Sequence, residues 1–76
     1  MTEAEWLNIF GANLAFYLEQ SGMNQRDLAM RTGLSESAIS NYIHKIRFPT
    51  VKAVINIANA FGIEMDELIP CDGVID

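Results

Sequence analysis

The chain has 76 residues, half of them hydrophobic, with ten acidic side chains against five Lys and Arg for a formal charge of −5. That is one domain's worth of chain with enough apolar content for a core, which excludes general disorder. Its single cysteine, Cys71, excludes a disulfide framework and a Cys-rich zinc site. No apolar run approaches the ~18 residues of a membrane span. The opening Met1-Thr2-Glu3-Ala4-Glu5 is acidic where a signal peptide would be basic. The expectation is a soluble, cytoplasmic protein with no membrane association.

Residues 3–20 read as the first helix. Leu7, Phe10, Leu14 and Tyr17/Leu18 recur at three- and four-residue steps and share a face. Trp6, Ile9 and Phe16 widen that stripe, and all of these aromatics read as core or interface. Gly11 inside the helix costs up to ~1 kcal/mol relative to Ala. Ser21-Gly22 is the stop, with Met23 packing back. Asn24 is a good N-cap for a second helix, with Asp27 in its first turn. Leu28, Ala29 and Met30 face inward in part, and Gly33 makes the turn that follows.

Ser35 caps a third helix, with Glu36 near its positive end and Ala38, Ile39, Tyr42 and Ile43 as its apolar stripe. Pro49 stops helical propagation. Thr50 caps a fourth helix whose stripe is Val51, Val54, Ile55, Ala58 and Phe61, closed by Gly62. A short fifth helix fits Met65–Ile69, and Pro70 leads into an acidic tail over 70–76. No segment alternates with a period of two, so the prediction is an all-α domain of five helices spanning 1–76.

The charge is unevenly distributed. All five cations, Arg26, Arg31, Lys45, Arg47 and Lys52, fall between positions 26 and 52. Against Asp27 and Glu36 they leave that band at +3, while the segments on either side are acidic. Within the band, residues 24–42 place two helices of about eight residues around a tight Thr32-Gly33-Leu34 turn. Leu28, Ala29, Leu34 and Ile39 can meet inside the angle, and Gly33 permits the positive φ that such a turn needs. Ser35, Glu36, Ser37, Ser40 and Asn41 remain on the outer face. This is a helix-turn-helix layout. On an isolated helix such residues would be an ordinary solvated face; the surrounding motif favours a binding face instead.

These residues carry a resemblance. Gln25-Arg-Asp-Leu-Ala, Thr32-Gly-Leu-Ser35, Ile39-Ser40, Arg47-Phe-Pro-Thr50, Ile57-Ala-Asn-Ala-Phe-Gly-Ile63 and Asp66-Glu-Leu68 stand in order and at the spacing of one family. From about Leu14 to Ile69 the chain resembles the phage-repressor-type (Cro/C1, XRE) helix-turn-helix family. The resemblance implies a five-helix, lambda-repressor-like DNA-binding domain whose second and third helices bind double-stranded DNA. It departs from the family at one stretch. Ile43, His44 and Lys45 stand where the family has a Glu, a basic residue and Gly, so the turn after the third helix is open to a different shape.

On the family's pattern Glu36, Ser37 and Asn41 face base edges, with Ser40 nearby. Asn can be bidentate to adenine, Glu accepts from cytosine N4, and Ser is indifferent. Gln25, Arg26, Lys45, Arg47 and Thr50 are the implied phosphate contacts, which position the protein without reading sequence. One protomer makes few contacts, so a homodimer on a palindromic operator, with half-sites ~34 Å apart, is expected. Phe48, Val51, Ile63, Val74 and Ile75 are the candidate interface.

The reading that follows is a sequence-specific transcriptional regulator acting as a repressor, with no cofactor. The alternative is a protein-binding module of the same fold, an antitoxin or adaptor, with a protein partner suited to the acidic ends. His44 reads as an exposed residue near the helix end, with phosphate contact its next role. Cys71 reads as a bystander thiol. The chain shows no metal cluster, nucleophile–base pair or phosphate-cradling glycine loop, so it is not expected to be an enzyme.

Overall fold

Thr2 opens the first helix by a reciprocal cap. Its hydroxyl accepts from the Glu5 amide at 3.2 Å, and its own amide donates to the Glu5 carboxylate at 3.0 Å. Two of the donors that every helix start leaves free are thereby satisfied. The structure, a computed structural model, describes residues 1–70. Five helices follow in order: α1 Glu3–Ser21, α2 Gln25–Thr32, α3 Glu36–Ile43, α4 Val51–Phe61 and α5 Met65–Leu68. No strand occurs among the described residues. No helix there is long and apolar enough to cross a membrane.

Each cap anticipated from sequence forms. Asn24 Oδ1 accepts from the Asp27 amide at 2.8 Å, Ser35 Oγ from Ala38 at 3.0 Å and Thr50 Oγ1 from Ala53 at 3.1 Å. α1 packs against α3, α4 and α5, while α2 packs against α3 and α4. Phe10, Leu14, Leu28, Ile39, Ile57 and Leu68 are the fully buried large side chains at the centre. Two amides tie the helices together across long sequence separations. Asn13 Nδ2 donates to the Leu68 carbonyl at 3.0 Å, and Asn56 Nδ2 donates to the Thr32 carbonyl at 3.4 Å. Both carbonyls lie at helix ends, where backbone acceptors lack intrahelical partners.

Several expectations are corrected. Met30, expected to face partly inward, is 75% exposed, and Phe16 at 55% stands off the core stripe of α1. Ile9 is also exposed. In α4 the buried face is Ala53, Val54, Ile57 and Ala58, with Val51 and Ile55 outside. Lys52, Asn56 and Asn59 share one narrow arc of α4 and the buried residues lie opposite it, with Val51 and Ile55 between the two.

Gly11 is more than a helix weakness. It is buried, and a Cβ there would stand 2.7 Å from Lys45 Cγ, 2.9 Å from the Tyr42 carbonyl oxygen and 3.2 Å from that of Ile43. The end of α3 lies on α1 at this point, and only a residue without a side chain admits it.

Candidate nucleic-acid interface

The α2–turn–α3 unit is built around buried small and branched residues. Leu28 and Ile39 are fully buried, Ala29 and Ala38 nearly so, and Leu34 packs against them. The turn is held by Thr32. Its hydroxyl donates to the Leu28 carbonyl at 2.7 Å and accepts from the Leu34 amide at 3.4 Å. Gly33 sits at φ +74°, where a Cβ is strained. With Ala38, Ile39 and Tyr42 turned inward, α3 presents its other side outward.

At about 100° per residue, Glu36, Ser40 and His44 advance round the helix by ~40° each, and Ser37 and Asn41 fall within the same ~140° arc. The four residues expected to read bases therefore share one face of α3. Glu36 and Ser37 are exposed, and Ser40 and Asn41 half-buried. His44 lies in the middle of the arc. It caps α3, and its Nδ1 stands 2.8 Å from the Ser40 carbonyl oxygen and 3.2 Å from Ser40 Oγ. Sequence reasoning set His44 aside; the 36–40–44 spacing was the signal that could have found it.

The turn after α3 resolves the departure at Lys45. The Ile46 amide donates to the Asn41 carbonyl and the Lys45 amide to the Tyr42 carbonyl, both at 3.1 Å. That pair of bonds is a Schellman termination. Lys45 takes the left-handed conformation itself, at φ +65°. The turn keeps the shape that a glycine would give, with a lysine in place. The Lys45 stem rests over Gly11 while the residue as a whole is exposed.

The other expected phosphate contacts sit at helix starts or in the following loop. Gln25 is the first residue of α2, half-buried, and Arg26 follows it, exposed. Thr50 is the N-cap of α4; its hydroxyl accepts from Ala53, which leaves its proton free to donate to an anion. Such helix starts favour negative charge. The Arg47 guanidinium lies 5.9 Å from the centre of the Tyr42 ring, close enough for a cation–π contact. Tyr42 itself is core and packs edge-on against Phe10. All five cations of the basic band are exposed.

Of the candidate interface residues, Phe48 is partly exposed and stacks on Trp6 with ring centres 4.4 Å apart. Val51 is 71% exposed, and Ile63 is half-buried against the core. Val74 and Ile75 lie outside the described residues, as do Cys71 and most of the acidic tail.

A motif of two short helices around a glycine turn, one helix with a polar outer face and cations beyond its end, defines a DNA-binding helix-turn-helix domain. The chain belongs to that family, of the XRE and Cro/C1 type: the helix-turn-helix family model matches residues 14–68. It is similar to the restriction-modification controller protein C.AhdI of Aeromonas hydrophila, at 29% identity over 82% of this chain and 94% of that one, with a TM-score of 0.79. It is similar also to the SOS-response transcriptional repressor LexA of Eubacterium rectale, at 27% identity over 95% and 78%, TM-score 0.81. A hypothetical transcription factor, NHTF, from Neisseria shares the fold at 20% identity over 91% and 79%, TM-score 0.82. No curated relative matches the chain. The family and these neighbours are transcription regulators rather than enzymes.

Proposed function

We propose that this protein is a sequence-specific repressor that reads the major groove with α3 and works in the cytoplasm. The observation that carries the reading is the outward face of α3. Glu36, Ser37, Ser40 and Asn41 are short enough to let the helix backbone approach base edges, and each has hydrogen-bonding capacity suited to them. Gln25, Arg26, Lys45, Arg47 and Thr50 supply phosphate contacts from the helix starts and the α3–α4 loop.

Magnitude reconciles this with the acidic total. Screening at physiological salt acts over about 8–10 Å, so acids beyond that distance from the duplex are largely hidden from it. The band at +3 governs the encounter, and non-specific affinity stays weak because few phosphates are neutralised. Two protomers double the contacts. Phe48 and Val51, exposed on and beside the start of α4, are the apolar surface for a homodimer on a palindromic operator, with Ile63 contributing at its edge. Light scattering that finds only monomer at high micromolar concentration would count against the dimer.

Selection of bound duplexes from a random library at physiological salt tests the whole reading. One inverted repeat should be enriched. Arg47→Ala should then reduce the dependence of log affinity on log salt by about one unit, and Asn41→Ala should relax base preference instead. A second reading has an observation of its own. Met30, at 75% exposure, borders a shallow surface groove with Met23, Asp27 and Arg31, a surface suited to a protein partner of an adaptor or antitoxin. Folded protein that enriches no duplex would favour that reading.

A further inference from the structure

His44 offers an inference that neither the motif nor the family match supplies; it rests on the reading in which the outer face of α3 meets base edges. A carbonyl oxygen can only accept a hydrogen bond. The 2.8 Å contact between His44 Nδ1 and the Ser40 carbonyl oxygen therefore requires a proton on Nδ1. Neutral His44 must be the Nδ1–H tautomer, and the imidazolium also carries that proton, so the bond holds in both protonation states.

The consequence falls on Ser40. Its Oγ lies 3.2 Å from the same Nδ1, which has no lone pair left to accept. The hydroxyl can only receive the second branch of the Nδ1–H bond. Its own proton must then point elsewhere, and the hydroxyl has no other hydrogen-bond partner among the described residues. A serine hydroxyl is normally free to donate or accept, and so reads no base in particular. Here one side of the oxygen is occupied by a donor.

We propose that His44 is a positioning residue for base reading: its Nδ1–H holds the Ser40 hydroxyl as an outward hydrogen-bond donor. The Nδ1–H bond takes one of the two oxygen lone pairs and polarises the O–H as a donor, so a base that presents a major-groove acceptor is favoured opposite Ser40. Guanine N7 or O6, adenine N7 and thymine O4 qualify, whereas cytosine offers only its N4 amino group. His44 thus turns an indifferent side chain into one that disfavours cytosine.

Two measurements test this. On the free protein, long-range ¹⁵N–¹H correlations of the imidazole should show Nδ1 protonated at neutral pH; an Nε2–H tautomer overturns the proposal whatever the DNA does. The second is duplex selection with the wild type, Ser40→Ala, His44→Ala and the double variant. In the wild type one position should disfavour cytosine by about three- to tenfold, the range of one neutral hydrogen bond. Ser40→Ala should abolish that preference, and His44→Ala should reduce it to below about twofold while the other positions stay unchanged. The double variant should match Ser40→Ala, as expected for two residues acting through one bond. His44→Ala with the cytosine penalty intact overturns the role of His44 alone, leaving α3 as the reading helix. Enrichment of no sequence by folded wild type overturns the DNA reading and this inference with it.

Discussion

α2 and α3 are both eight residues long, both capped by a short polar side chain, and both followed by a residue in the left-handed conformation. The two ends are nevertheless built differently. After α2 that residue is Gly33, and a Cβ there would meet nothing within 4 Å. After α3 it is Lys45, whose stem lies against Gly11 of α1. The first turn needs a glycine for its φ alone. The second carries a lysine at nearly the same φ, with the left-handed strain that implies, and Gly11 makes room for its stem where two backbones converge. Conformational freedom and close approach are separate demands on glycine, and this molecule meets them at separate positions.

The strongest way to break that comparison is Gly11→Ala. Alanine would gain up to ~1 kcal/mol of helix propensity. Overpacking typically costs ~1–3 kcal/mol, and two of the three close atoms are backbone carbonyl oxygens that cannot swing aside. The net effect should be a loss of about 2 kcal/mol, seen as a fall in Tm of roughly 10 °C for a domain of this size. An unchanged or raised Tm would show that α1 and α3 are not in close contact there.

Gly33→Ala should cost less, about 1 kcal/mol, the ordinary penalty for a left-handed L-residue with no clash added. Denaturant unfolding should show a lower midpoint at an unchanged slope. A loss as large as that of Gly11→Ala would mean that the α2–α3 turn, too, is sterically closed. Lys45→Gly should move the other way. Releasing the left-handed strain should raise stability by up to ~1 kcal/mol, less the lost contact of the stem with α1. The same change should weaken DNA binding by removing a cation, so stability and affinity should separate in this one variant. Joint loss of both would identify the Lys45 stem as part of the packing.

The smallest effect concerns the start of α1. The Thr2 amide, and after it the Thr2 hydroxyl, hold the Glu5 carboxyl below the ordinary glutamate value. A folded value lower than the unfolded one means that the stabilisation is present above the unfolded value. It is lost as pH falls through the lowered folded value. A carboxyl NMR titration should show Glu5 ionising below an ordinary glutamate, and Thr2→Val should remove only the hydroxyl's share. Titration of Glu5 at the ordinary value would mean that the cap does not persist in solution.

The local signals in the sequence read well where chemistry is local. Asn24, Ser35 and Thr50 announce helix starts because their side chains bond to an amide three residues on. Gly33 announces a turn because φ is a property of one residue. The outer face of α3 was legible for the same reason: 3.6 residues per turn places Glu36, Ser37, Ser40 and Asn41 together once Ala38, Ile39 and Tyr42 are inside. Periodicity misled on α4, where Val51 and Ile55 look like core but border the polar stripe of Lys52, Asn56 and Asn59 and stand outside. It failed again at Met30 and Phe16, whose hydrophobicity says nothing of whether a neighbour arrives.

What the sequence determined by itself is therefore the number and order of the helices, their caps and turns, the helix-turn-helix motif and the basic band around it. These depend on residues within one or two turns of each other. Only the tertiary structure decided why Gly11 is a glycine and how Lys45 takes the place of one. It also set the bond of His44 to Ser40 in the middle of the candidate reading face. The Gly11–Lys45 fit depends on which surfaces meet across the molecule, and the Ser40–His44 bond on side-chain orientation at the end of α3, which no spacing in the chain specifies.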